Sequence, residues 1–233
     1  MLIAALAVAA LVAAGCGSSD NSNGTTTTTT QITTTTESTT TTTEPAGLEQ
    51  PAIWPAADVV FATPEAAAED FVTQVLGVPP ALGEFQQGDA RSGEIELLSL
   101  GEGGSSPVVR SLLLLRQLGP DDGWFVLAAV NENASITSPA SGATVAAGPL
   151  TVQGLARGFE ANVNVRAFVA GHAADELDQQ ITMGGSMETP EPISVTLDLS
   201  AAATGDIVTI LVRGGTGLET DPGEVGAIPV VIG

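Results

Sequence analysis

Lysine and tyrosine are absent from the 233 residues, histidine and cysteine occur once each, and only 6 Phe and 2 Trp supply aromatic surface. Six arginines face 27 acids, for a formal charge of −21. Each scarcity closes a class of function. One cysteine forms no disulfide within the chain, and one cysteine with one histidine builds no Cys/His zinc cluster. A surface this acidic repels phosphate backbones, which excludes nucleic acid as a partner. The negative charge is also evenly spread, at net −10 over residues 48–132 and −8 over 133–233. No stretch is basic enough to dock on anionic lipid, so any membrane contact must come from elsewhere.

What is present begins with an apolar run over residues 1–15, MLIAALAVAALVAAG, followed at once by Cys16. Fifteen helical residues rise about 22 Å, too short for a hydrocarbon core of about 30 Å but suited to a signal peptide. The segment Leu11-Val12-Ala13-Ala14-Gly15-Cys16 resembles the lipobox of bacterial lipoproteins. That resemblance implies cleavage before Cys16, a palmitate-bearing lipid on its thiol, and display on the outer face of the cell membrane. The alternative is an ordinary secretory signal with an incidental cysteine.

Residues 16–47 read as the lipidated cysteine and a linker. From Thr25 to Thr43, fifteen of nineteen positions are threonine. β-Branching favours extended backbone, but nothing apolar is there to pack it, so a disordered stalk is expected, open to O-glycosylation.

Residues 48–132 are predicted to form a small α+β domain, one helix on a small antiparallel sheet. Thr63 is a suitable N-cap, Pro64 suits the first helical position, and Ala68, Phe71, Val72, Val75 and Leu76 form one buried stripe. Gly77 and Pro79-Pro80 end the helix. Strands follow around Glu94–Leu97, Val108–Leu118 and Trp124–Val130, the last two joined by the turn Gly119-Pro120-Asp121-Asp122-Gly123. Arg110 and Arg116 are six apart, which on a regular strand puts them on one face. With Trp124 across the hairpin they are a candidate site for an anionic or sugar-like ligand; the ordinary alternative is pairing with nearby acids.

From 133 to 233 the texture changes to short β-rich runs separated by Gly, Pro, Asp and Thr. Seven candidate strands, 135–137, 150–154, 162–169, 178–183, 193–199, 207–212 and 227–232, with no helix between them, describe an all-β immunoglobulin-like sandwich. Alternation is clear in Val163, Val165 and Ala167 against Asn162, Asn164 and Arg166.

Three spaced motifs, Ile136-Thr137-Ser138-Pro139-Ala140-Ser141-Gly142-Ala143-Thr144-Val145, Pro149-Leu150-Thr151-Val152-Gln153-Gly154-Leu155-Ala156 and Gly158-Phe159-Glu160-Ala161-Asn162-Val163-Asn164-Val165, resemble the Gmad2 family. This is the immunoglobulin-like domain named from bacterial spore-germination proteins. The resemblance implies an exported, envelope-associated module without enzymatic activity. Phe159 is expected to enter the core, and Glu160 to accept backbone N–H bonds in the turn before Asn162.

Chemistry is sparse. His172 sits in Ala170-Gly171-His172-Ala173, a loop with no G-x-S-x-G elbow to complete a triad. Glu219, Asp221 and Glu224 form an acidic loop, a weak calcium candidate without EF-hand spacing. No glycine-rich phosphate loop and no cofactor motif is present. The expectation is a lipid-anchored, non-catalytic envelope protein that binds another envelope protein or a wall glycan. Its rivals are an enzyme acting on wall polymer and a solute-binding lipoprotein.

Overall fold

The computed structural model describes residues 48–100, 106–186 and 188–233. The apolar run 1–15, Cys16 and the threonine-rich segment lie outside the described residues.

Among the described residues the one α-helix, α1, spans Pro64–Phe71 and continues as a π-type turn over Val72–Leu76. Its start is the expected one. Extended Thr63 accepts the Ala66 N–H on its hydroxyl at 3.2 Å, and Pro64 opens the first turn where its missing N–H has no consequence. Gly77, at φ 68°, ends it in the left-handed region that other residues avoid. Phe71, Val72, Val75 and Leu76 are buried, as the periodicity requires.

Among the described residues twelve strands follow: β1 (Gln86–Gln87), β2 (Ser92–Ser99), β3 (Val108–Leu118), β4 (Gly123–Val130), β5 (Ala134–Ser138), β6 (Thr144–Val145), β7 (Pro149–Ala156), β8 (Asn162–Val169), β9 (Glu176–Met183), β10 (Glu191–Asp198), β11 (Ile207–Gly214) and β12 (Glu224–Ile232). They form two sheets that pack as a mostly β, sandwich-like body. The small sheet runs β10-β7-β5; the large one runs β1-β2-β3-β4-β12-β11-β8-β9, with β6 parallel to β12. Between β5 and β6 the chain crosses from one sheet to the other, turning at Gly142, φ 75°. All other strand pairs within the sheets are antiparallel.

The large sheet runs through the boundary at 132/133. Ala227 of β12 pairs with Ala129 of β4, so the early hairpin and the immunoglobulin-like strands share one ladder. Alternation then sorts the core into two layers. Val163, Val165, Ala167, Val208, Ile210 and Val212 face the small sheet. From the opposite face Phe168, Leu211, Val225 and Ala227 pack with Ile53, Phe71, Val75, Ile95, Leu113, Leu115 and Val126 under the helix. Strand β11 is therefore buried on both sides, and Thr209 at its centre donates its hydroxyl to Ile53 O at 2.8 Å. Trp54 Nε1 ties the loop before the helix to Asp70 Oδ2 at 2.8 Å.

Candidate functional site

The cations proposed from sequence as one surface are separated. The register of β2 against β3 slips between Leu97 and Leu98, leaving Arg110 as the extra residue of a bulge. Its guanidinium turns to Asp221 (2.8 Å) and Glu224 (3.4 Å), with its side chain only 15% exposed. Arg116 pairs with Asp89 at 3.4 Å, and lines a different groove with Gln86, Gly88 and Leu114. Trp124 is not beside either. Arg116 is registered with Phe125 and Trp124 with Gln117, so Arg116 and Trp124 lie on opposite faces; Trp124 meets Phe85 edge-on at 5.3 Å. A strand bulge thus corrects an argument from regular spacing.

The acidic loop is an ion-pair centre. Asp221 and Glu224 have side chains 2% and 4% exposed. Asp221 accepts from Ser99 Oγ (2.7 Å), Gly223 N (2.8 Å) and Arg110; Glu224 accepts from Arg110, Arg157 Nη2 (2.9 Å) and Asn131 Nδ2 (2.6 Å). These oxygens are already spent on guanidinium and amide donors, and Glu219 stands apart, exposed. No cluster of three or more metal-ligating side chains occurs among the described residues. His172 is exposed in its turn, with Nδ1 3.3 Å from Ala170 O.

Phe159 and Glu160 depart from expectation together. Phe159 is 49% exposed, and no hydrogen bond to the Glu160 carboxylate occurs among the described residues. Glu160 and Ala161 instead occupy left-handed backbone, φ 52° and 60°, which forms a tight turn and holds the preceding ring outward. Phe159 N donates to Gly215 O at 2.7 Å. Gly217, φ 84°, passes beneath the ring, where a Cβ would meet Phe159 Cδ1 at 3.2 Å.

The outward ring forms one wall of a groove of about 460 Å³. Strand register builds the rest. Arg213 of β11, Asn164 of β8 and Ile181 of β9 lie in one cross-strand row, and Arg166 and Gln179 in the next. Asn162 continues the same face of β8. Ile181, 71% exposed, opposes Phe159 as a second apolar element of the lining. The groove therefore lies on the uncovered continuation of the sheet face that carries the helix. Both arginines reach to the helix end: Arg166 Nη1 donates to Val75 O (3.3 Å) and Arg213 Nη1 to Leu76 O (2.9 Å). Cations there suit the negative end of the helix dipole.

Arg166 also pairs with Glu176 and donates to Ala173 O at 3.1 Å. Among the described residues Arg213 bonds only carbonyls, adding Pro222 O (2.6 Å) and Asp221 O (3.1 Å). Burial, then the nearby Arg166 charge, lowers its pKa from the usual arginine value, with the Asp221 charge opposing. Asn164 Oδ1 is buried without a hydrogen-bond partner. Sequence reasoning finds the polar face of β8 but not the groove. The usable signal is that Asn162, Asn164 and Arg166, three outward positions in succession, include no acid in so acidic a chain.

No curated protein and no solved structure matches this chain. The groove's β8–β9 floor and the outward Phe159 fall within one recognisable segment: residues 133–213 match Gmad2, the immunoglobulin-like domain of bacterial spore germination.

Proposed function

We propose that this chain is a non-catalytic binding protein of the bacterial cell envelope, held to the outer face of the membrane by lipid on Cys16. Residues 17–47 serve as its stalk, residues 48–132 as a small α+β unit built onto the sandwich, and a wall glycan as its ligand. The observation that carries the reading is the groove lining. Phe159 and Ile181 offer apolar surface to the faces of sugar rings, and Asn162, Asn164 and Gln179 offer amides to hydroxyl and N-acyl groups. Among the described residues no Asp, Glu, His, Cys or Ser lines it, and the lining offers no acid–base pair or nucleophile for cutting a polymer.

Co-sedimentation of the full chain with purified wall sacculi tests the binding reading. The parent should pellet with sacculi and Phe159→Ala should remain in the supernatant. Because the ring is half exposed, that substitution should lower stability by only about 1 kcal/mol, read by thermal unfolding. Equal pelleting of the two proteins would remove the groove from the binding surface. Cys16→Ala should shift the protein from the membrane fraction to the soluble fraction or stop it as a precursor; a variant processed and membrane-bound like the parent would overturn the anchor.

A further inference from the structure

The groove is an island in the charge pattern. Of the six arginines, Arg91, Arg110, Arg116, Arg157 and Arg166 each have a carboxylate within 4 Å. Arg213 has no such ion pair among the described residues, and it lines this groove. Its carbonyl partners occupy three of the five guanidinium N–H groups, leaving two to donate. Arg166, itself paired with Glu176, lies beside it, and among the described residues no acid lines the groove although the chain carries 27 of them. A groove for a neutral glycan would need hydrogen-bonding groups and an apolar wall. It would not need a partly buried arginine whose hydrogen bonds go to carbonyls and not to a carboxylate, since desolvating a cation without an ion pair is unfavourable.

Resting on the binding reading above, we infer that the ligand is a carboxylated sugar, with its acid group at Arg213, its ring against Phe159 and its hydroxyl or N-acyl groups at Asn162, Asn164 and Gln179. Muramic-type and uronic acid residues share this chemistry. A guanidinium–carboxylate contact in a partly desolvated groove is charge-assisted, and its loss should weaken binding about ten- to hundred-fold.

NMR titration of the full chain carrying Cys16→Ala tests this, using N-acetylmuramic acid, its methyl ester, glucuronic acid and N-acetylglucosamine. The acids should shift resonances of Phe159, Asn162 and Asn164, at least ten-fold more tightly than the ester or the neutral sugar. Preference between the two acids names the source. Rising salt should weaken the acids and leave the ester unaffected. Arg213→Gln also removes bonds to the helix end and risks misfolding, so Asn162→Asp at the exposed rim is the working variant. It should reduce affinity for the acids at least ten-fold more than affinity for the neutral sugar, and keep the parent's unfolding temperature. Arg116→Gln, in the other groove, should bind like the parent. Ester and acid binding equally well would overturn the carboxylate inference while leaving the glycan reading intact. Shifts confined to residues outside the groove, or no binding of any sugar together with loss of pelleting on sacculi, would overturn both.

Discussion

Glu224→Gln should destabilise the folded body by on the order of 3–5 kcal/mol, the range for breaking a buried ion pair from one side. Its carboxylate accepts from Arg110, Arg157 and Asn131 at once, and the substitution leaves Arg157 without its anionic partner, beside the Glu188 carbonyl at 3.1 Å. For a body of this size the melting temperature should fall on the order of 10 °C. A loss below about 1 kcal/mol, the value of an exposed pair, would mean that water enters the cluster and screens it. The neighbouring acid adds a pH signature. Burial raises the Asp221 pKa, but the Ser99 hydroxyl, the Gly223 N–H and Arg110 outweigh it and hold the carboxyl below the usual aspartate range. A carboxyl depressed by folding contributes stability that is complete above its unfolded pKa of about 3.9, and is lost as pH falls through the lower folded value. The parent should therefore weaken below about pH 4. Asp221→Asn should be less stable at pH 7 and show a flatter acid profile, measured by urea unfolding across the pH range.

Phe168→Ala should cost about 3–5 kcal/mol, the usual range for a large aromatic removed from a closed core. Phe168 belongs to β8, yet its ring packs with the helix residues and the early strands, on the face away from the small sheet. Trp54 and Trp124, the only two tryptophans, both lie in the early segment, whereas most strands lie in the later one. Tryptophan fluorescence and far-UV dichroism thus watch different parts of the molecule. Removing Phe168 should lower both transitions by the same amount. A dichroism transition that falls while fluorescence stays put would show that the two segments melt independently.

The features legible in the sequence are those that local chemistry dictates. Thr63-Pro64 and Gly77 mark the helix ends because capping and left-handed turns involve only adjacent residues. The outward and inward sets of β8 follow from period-two alternation. Two kinds of feature were hidden. The bulge at Arg110 depends on how β2 and β3 are registered, which no spacing within β3 reveals. The joining of β12 to β4 is a pairing between residues about a hundred positions apart. Its trace is the run Ile207-Val208-Thr209-Ile210-Leu211-Val212, which does not alternate because β11 is covered on both faces. Phe159 misleads for a related reason. An aromatic beside a strand is ordinarily core, and only the left-handed pair Glu160-Ala161 turns it outward.

The position of β12 also sets an order of events. It follows the other described strands in sequence, yet it lies in the interior of the large sheet, between β4 and β11. Until Glu224–Ile232 has left the ribosome, the early hairpin and the later strands have no shared ladder. The core cluster under the helix then lacks Val225 and Ala227. A nascent chain is thereby kept from locking into its final shape before synthesis of that strand is complete. Under the export proposed above, this delay would keep the polypeptide transportable, with assembly completed on the far side.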